Sequence, residues 1–274
     1  MTPELDRICR VLRAAAAAEI LPRFRRVASR EKADGSLVTE ADTATQAAVA
    51  STLQNLWPGV PLLGEEMDAA EQRLRLEDAQ TGVWCLDPLD GTSNFACGFP
   101  LFAVSLALLQ GGVVTRGAVL DPVRDECFCA ELGGGAFLNG QPLRLAAGPR
   151  RLKDSLAAVD LKRLGPKDLV RLGAAAPYRS QRSLGCVALE WCWLAAGRLQ
   201  LYLHGGQKLW DYAAGRLIAS EAGAASGLFE PALGSAGLRP TEGLTLEPRM
   251  AVAAADQALL GAWLAWIGGD RTAG

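Results

Sequence analysis

Residues 84–95 read Trp-Cys-Leu-Asp-Pro-Leu-Asp-Gly-Thr-Ser-Asn-Phe, so two carboxylates stand three positions apart around a proline and run straight into Gly-Thr-Ser-Asn. The preceding run, GVWCL, is apolar and strand-like, and Gly-Thr-Ser-Asn reads as a helix start. Asp87 and Asp90 therefore fall at the C-terminal end of a strand, where α/β folds open their ligand crevices. The helix N-terminus points at the same place, and unpaired N–H groups of Gly91, Thr92 and Ser93 would bind an anion, most naturally a phosphate. Pro88 presets the backbone and removes a donor, which lets the Leu89 carbonyl turn towards the acids. Carboxylates and phosphate repel each other. The conflict disappears if divalent cations about 3.5–4 Å apart bridge them, as in two-metal phosphoryl transfer.

Composition narrows the partners. The chain has 274 residues, half of them hydrophobic, with a net charge of −2. That is enough for one α/β unit or two subdomains around a cleft, and it gives no electrostatic footprint for nucleic acid. The run VLRAAAAAEIL carries Arg13 and Glu19 and is too short and too charged to span a bilayer, so a cytoplasmic protein without membrane partners is expected. Seven cysteines without a CxxC pair indicate free thiols rather than a disulfide framework or a zinc knuckle. His204 is the only histidine. Any metal site must then be built mainly from carboxylate oxygen, which suits Mg²⁺ or Mn²⁺.

Working outward, PELDRICRVLRAAAAAEILPRF has helical apolar spacing, and VTEADTATQAAVASTLQNLWPG gives a second helix with Thr39 as N-cap and Trp-Pro-Gly as the stop. Asp42 falls in that helix's first turn, where it fits a capping role and a catalytic one equally. From Phe102 to Leu145, short apolar runs broken by Gln-Gly-Gly, Asp-Pro, Gly-Gly-Gly and Asn-Gly indicate an antiparallel meander. Gly133 to Gly135 form a turn there rather than a nucleotide loop. The last third alternates strand-like and helix-like segments, a layered α/β pattern. The expected organisation is one catalytic unit with subdomains of about 1–148 and 149–274 and a seam near Pro149. Two further acidic points stand out: Glu65 and Glu66 in LLGEEM, after a short strand, and Asp211 in LWDYAAG, at a helix start. Each alone reads equally as a loop pair or a dipole partner.

Taken in order, VTEAD, GEE, DPLDGTSNF and WDYAAG resemble the inositol monophosphatase family of lithium-sensitive, Mg²⁺-dependent phosphomonoesterases, over nearly the whole chain. The resemblance implies an αβαβα sandwich of the inositol monophosphatase and fructose-1,6-bisphosphatase type. It implies that Glu65, Asp87 and the Leu89 carbonyl hold one metal, and that Asp87, Asp90 and Asp211 hold a second. A third, looser metal would touch Glu65 through water. It also implies that Thr92 and Asp42 orient and activate the attacking water, that Gly91, Thr92 and Ser93 close on the phosphate, and that Gly185 lines the substrate pocket beside Val187. A homodimer is implied too, with the apolar FAVSLALLQGG region as a possible interface.

One departure falls at a substrate contact. Members acting on inositol phosphate carry a glutamate seven residues before the WD aspartate, and this chain has His204, either a specificity residue or the plain end of the strand LQLYLH. Ser93 stands where bisphosphate nucleotidases of the family usually have lysine. Inositol phosphate, fructose 1,6-bisphosphate, histidinol phosphate, another sugar phosphate and a nucleotide phosphate all stay open as substrates. An aspartyl-nucleophile phosphatase is disfavoured by the Asp-x-x-Asp spacing. A regulatory partner of RNA machinery is the non-enzymatic alternative.

Overall fold

A computed structural model describes residues 1–26, 29–32, 35, 37–146, 148, 151–231 and 238–268. The chain opens with α1 (Pro3–Ala15), capped by the Thr2 hydroxyl and burying Leu5, Ile8, Leu12 and Ala15 from one stripe. A short hairpin of β1 (Ser29–Glu31) and β2 (Leu37–Thr39) leads into α2 (Glu40–Leu56). Then come β3 (Leu62–Gly64), α3 (Ala69–Glu77), β4 (Val83–Asp90), the single-turn α4 (Thr92–Ala96), and five strands in succession: β5 (Ala103–Gln110), β6 (Val113–Asp121), β7 (Glu126–Glu131), β8 (Gly135–Leu138) and β9 (Gln141–Leu143). β3 to β9 form one seven-stranded sheet in sequence order, parallel only at β3–β4. The meander expected from Phe102 onward is this run of antiparallel neighbours.

The remaining elements are β10 (Leu156–Asp160), α5 (Pro166–Ala175), β11 (Ser180–Arg182), α6 (Val187–Ala195), β12 (Leu201–Gln207), α7 (Leu209–Ala222), β13 (Ala225–Phe229), β14 (Arg249–Ala254) and α8 (Gln257–Gly268). Their strands make a second sheet, ordered β11-β10-β12-β14-β13, with β10 parallel to both β11 and β12. Helices α6 and α7 lie between the two sheets, α1 and α2 cover the outer face of the first, and α8 covers the outer face of the second. The layers are thus α, β, α, β, α, as the resemblance implies. The seam expected at Pro149 lies outside the described residues. Among the described residues no helix is long and apolar enough to cross a membrane, and all seven cysteines are free thiols.

The pattern of burial explains the sequence. On β5, Val104, Leu106 and Leu108 join the core under α1 and α2, while Ala103, Ala107 and Leu109 join the core under α6 and α7. A strand covered on both faces reads as an unbroken apolar run. The FAVSLALL stretch is accordingly interior, and the interface expected from it is not available there: Phe102 to Leu109 are all buried.

The middle layer sits very close to the first sheet. A Cβ on Gly117 of β6 would come within 2.9 Å of Ala214 Cα and 3.1 Å of its carbonyl oxygen on α7. Gly117→Ala is expected to cost about 1–3 kcal/mol, because backbone rather than a mobile side chain must give way. An unchanged denaturant midpoint would contradict this close seating.

Candidate active site

The C-terminal end of β4 is irregular, and the irregularity serves the acids. Pairing with β5 slips between Asp87, opposite Ser105, and Asp90, opposite Ala103, so Pro88 and Leu89 bulge out of the ladder. Both carboxylates are buried, at 2 % and 9 % exposure. Asp87 Oδ1 accepts the Leu89 N–H at 3.0 Å. Asp90 Oδ2 accepts the Ala188 N–H at 2.6 Å and the Cys186 thiol at 3.2 Å, which ties β4 to the start of α6. The Gly91 N–H lies against the Asp90 carboxylate. That corrects the expectation that Gly91 offers an unpaired donor: its own neighbour has used it. Gly91 has φ 86° and its Cβ would sit 3.1 Å from the Leu101 carbonyl oxygen, so only glycine fits the turn into α4.

Asp42 divides its two oxygens between the helix cap and Thr92. Its Oδ2 accepts from the Thr39 N–H at 2.7 Å and the Thr39 hydroxyl at 2.6 Å, closing the capping box of α2. Its Oδ1 stands 3.1 Å from the Thr92 hydroxyl, which is also 3.0 Å from the Leu89 carbonyl oxygen. Burial pushes the Asp42 carboxyl up, against the Thr39 hydrogen bonds.

Glu65 is delivered by the end of β3, its N–H bonded to the Leu86 carbonyl at 3.1 Å. Asp211 is delivered by α7, where Oδ2 accepts the Lys208 N–H at 2.9 Å. Glu65, Asp90 and Asp211 all press on Asp87 electrostatically, and burial together with that mutual repulsion raises the carboxyls of Asp87 and Asp211 well above their ordinary value and that of Asp90 to about 6. A lysine partly answers them. Lys32 reaches Glu65 Oε1 at 2.9 Å and Glu66 Oε1 at 2.6 Å. Lys32 belongs to none of the sequence motifs; its only signal is a lone lysine shortly before VTEAD.

The remaining expected residues are placed differently from one another. Gly185 stands beside Gly91, held by Asn94, whose amide donates to the carbonyl oxygens of Leu101 and Leu184 at 2.8 Å and of Gly185 at 3.3 Å. Ser93 is exposed and Val187 buried. His204 is 2 % exposed with both ring nitrogens engaged, so its imidazole has no free edge to offer a substrate. Glu190 is a further buried acid, inside the apolar helix α6, accepting the Leu184 N–H at 2.9 Å; burial lifts its carboxyl to about 8.

The donor set suits a hard divalent cation. Its atoms are all oxygen, and Asp87 Oδ2, Glu65 Oε2 and Asp211 Oδ1 carry no hydrogen bond among the described residues. Among those residues no three acidic, histidine or cysteine side chains close onto one point. Each carboxylate turns one oxygen to a donor of the chain: Lys32, the Leu89, Ala188 and Lys208 N–H groups, or the Cys186 thiol.

Four acids brought within electrostatic reach of one another by β3, β4 and α7, with a Thr–Asp pair nearby, follow the order of motifs in a known family, whose sequence model, described as "Inositol monophosphatase family", matches residues 4–265. The chain belongs to the inositol monophosphatase family. It is therefore a phosphatase that hydrolyses phosphomonoesters, and the family is metal-dependent. An inositol-1-monophosphatase of Mesorhizobium japonicum is 39 % identical over 197 residues, covering 70 % of this chain and 72 % of the relative. A protein named Nus factor SuhB, of Vibrio cholerae, is 33 % identical over 227 residues, covering 76 % and 77 %. Among solved structures, an IMPase of Thermotoga maritima superposes with a TM-score of 0.80 at 26 % identity, covering 97 % of this chain and 96 % of that one. SuhB of Mycobacterium tuberculosis superposes at 0.70 with 30 % identity, covering 96 % and 94 %.

Proposed function

We propose that the chain is a Mg²⁺-dependent phosphomonoesterase acting on a small phosphorylated polyol, sugar or related metabolite by direct attack of water. The observation that carries this reading is the cluster of Glu65, Asp87, Asp90 and Asp211, where burial and crowding raise the carboxyls of Asp87, Asp90 and Asp211 and cations would relieve them. Glu65, Asp87 and the Leu89 carbonyl would hold one ion; Asp87, Asp90 and Asp211 would hold a second, with Asp87 shared. When bound, the ions lower the pKa of water and offset charge on the phosphoryl oxygens.

The chain's own groups do the rest. The Thr92 hydroxyl turns its proton to Asp42 Oδ1 or to the Leu89 carbonyl. Its oxygen is then an acceptor that orients the attacking water, and Asp42, raised by burial, is suited to take up a proton. The N–H groups of Thr92 and Ser93, which make no hydrogen bond among the described residues, would face the phosphate, with Gly185 at the pocket wall. Within the same reading the chain is a cytoplasmic homodimer, inhibited by Li⁺.

The test is phosphate release from a panel of phosphomonoesters with Mg²⁺, with and without Li⁺. Inositol 1-phosphate, fructose 1,6-bisphosphate, histidinol phosphate and nucleotide phosphates belong in it. Release that needs the metal and falls with Li⁺ is expected. No release from any compound, by protein that binds Mg²⁺ normally, would favour instead the regulatory role suggested by the Nus factor relative.

A further inference from the structure

Strands β10 and β12 run parallel with Asp160, the last residue of β10, opposite His204, which stands in β12 where its pairing with β14 begins to slip, three residues before the strand ends and α7 with Asp211 follows. Nδ1 of His204 accepts the Gly206 N–H at 3.3 Å, which leaves the ring proton on Nε2, and that N–H donates to Asp160 Oδ2 at 3.0 Å. Burial pushes the imidazole down, so the ring is neutral despite its acidic partner. Asp160 is then bonded three times: by His204, by the Lys162 N–H on Oδ1 at 2.9 Å, and by Arg163 Nη1 on Oδ2 at 2.6 Å. Although burial works against it, the His204 and Arg163 bonds hold the Asp160 carboxyl below the usual range.

The device holds one guanidinium by one corner. Arg163 Nη1 is used, while Nε and Nη2 make no hydrogen bond among the described residues, and the side chain is half exposed. The backbone is fitted to the same end. A Cβ on Gly205 would come within 2.0 Å of the Arg163 carbonyl oxygen, which only glycine avoids, whereas one on Gly206 would make only ordinary contact, 3.9 Å from Arg163 Cδ. β12 carries glycine at both positions, where its pairing with β14 slips. Behind them Gln207 is buried between the Tyr202 hydroxyl and the Trp191 N–H. The charge reaches the acid cluster: Arg163 is among the groups that oppose the upward push on Asp211. An exposed ion pair gains at most about 1 kcal/mol. Such a pair needs no buried histidine, no triply bonded aspartate and no glycine at position 205.

We propose that Arg163, oriented by Asp160 and His204, binds an anionic group on the leaving alcohol, so that the preferred substrate is a phosphomonoester bearing a second anion, a carboxylate or a further phosphate. This rests on the phosphatase reading of the acid cluster. Two unspent donors on adjoining nitrogens match a carboxylate or phosphate edge bidentately. His204 is then a positioning residue, and the specificity expected of it passes to its neighbour two bonds away.

The experiment compares kcat/KM for 3-phosphoglycerate and fructose 1,6-bisphosphate with that for glycerol 1-phosphate, whose alcohol is neutral. It uses wild type, Arg163→Gln and Arg163→Lys, with Mg²⁺. Calorimetric binding of 2,3-bisphosphoglycerate and of glycerol 1-phosphate to the same three proteins accompanies it. The wild type is expected to prefer one or both anionic alcohols at least about 10-fold, the preference residing in KM. Arg163→Gln is expected to lose that ratio and Arg163→Lys to keep part of it. Which of the two substrates carries the preference tells carboxylate from phosphate. A wild type without the preference, or a ratio unmoved by Arg163→Gln, overturns the proposal while leaving a phosphatase. If no compound is hydrolysed, the phosphatase reading fails and calorimetry decides alone: tighter binding of the bisphosphate that depends on Arg163 upholds the anion site, and equal binding overturns it.

Discussion

Asp87→Asn is expected to lower turnover roughly 10³-fold or more while making the metal-free protein more stable. The two effects have one origin. Asp87 is 2 % exposed and pressed by Glu65, Asp90 and Asp211, with no cationic side chain in salt-bridge contact among the described residues. Ionising it without a metal ion opposes folding, and the amide removes that cost, worth about 1–3 kcal/mol. Its one hydrogen bond among the described residues, from the Leu89 N–H, can be kept by the asparagine carbonyl. The fold should therefore survive, and the shared ligand should not. Urea denaturation in chelator and phosphate release in Mg²⁺ measure the two halves. Near-wild-type turnover would refute the bridging role; a lower midpoint in chelator would refute the repulsion.

The stability gap between Glu190→Gln and wild type is expected to widen as pH rises from about 4.5 to about 8, the ordinary and the buried values of this carboxyl. In that window the folded protein keeps a proton on Glu190 that the unfolded chain has released. Folded protein then binds more protons, so wild-type stability from this group is full below pH 4.5 and declines until about pH 8. Glutamine does not titrate and can still accept the Leu184 N–H. At about 1.4 kcal/mol per pH unit the gap amounts to a few kcal/mol at pH 8. Other groups act in the same range, His204 in the opposite sense below pH 6.5, and the difference between the two proteins isolates Glu190. Parallel stability curves from pH 5 to 8 would show that Glu190 ionises normally.

Much of the site is legible in the sequence because it is local. Asp87, Leu89, Asp90 and Thr92 are joined by a strand end, a bulge and a single turn of helix, and Thr39 with Asp42 by one capping box, so spacing alone brings them together. The distant acids Glu65 and Asp211 join them only through the family resemblance. What spacing misses depends on strand pairing and on which oxygen is already taken. Asp160 meets His204 because β10 lies parallel to β12, and nothing near either residue in the sequence signals it. The Gly91 N–H is spent on Asp90. The FAVSLALL run carries no alternation to reveal that two different cores claim its two faces. Glu190 does leave a trace, as the lone acid in VALEWCWLA.

The near-touching backbones of Gly117 and Ala214 have a further consequence for evolution. Asp211 sits one turn before Ala214 on the same rigid helix, so the depth to which α7 sinks into the first sheet also sets how far Asp211 stands from Asp87 and Asp90. With Asp211 as a metal ligand, as proposed, interior residues along that seam answer to reaction geometry as well as to folding. Drift there would be felt as a misplaced ligand before it was felt as an unfolded protein, and catalytic loss without structural collapse is how a harmful change at this buried contact would first become visible.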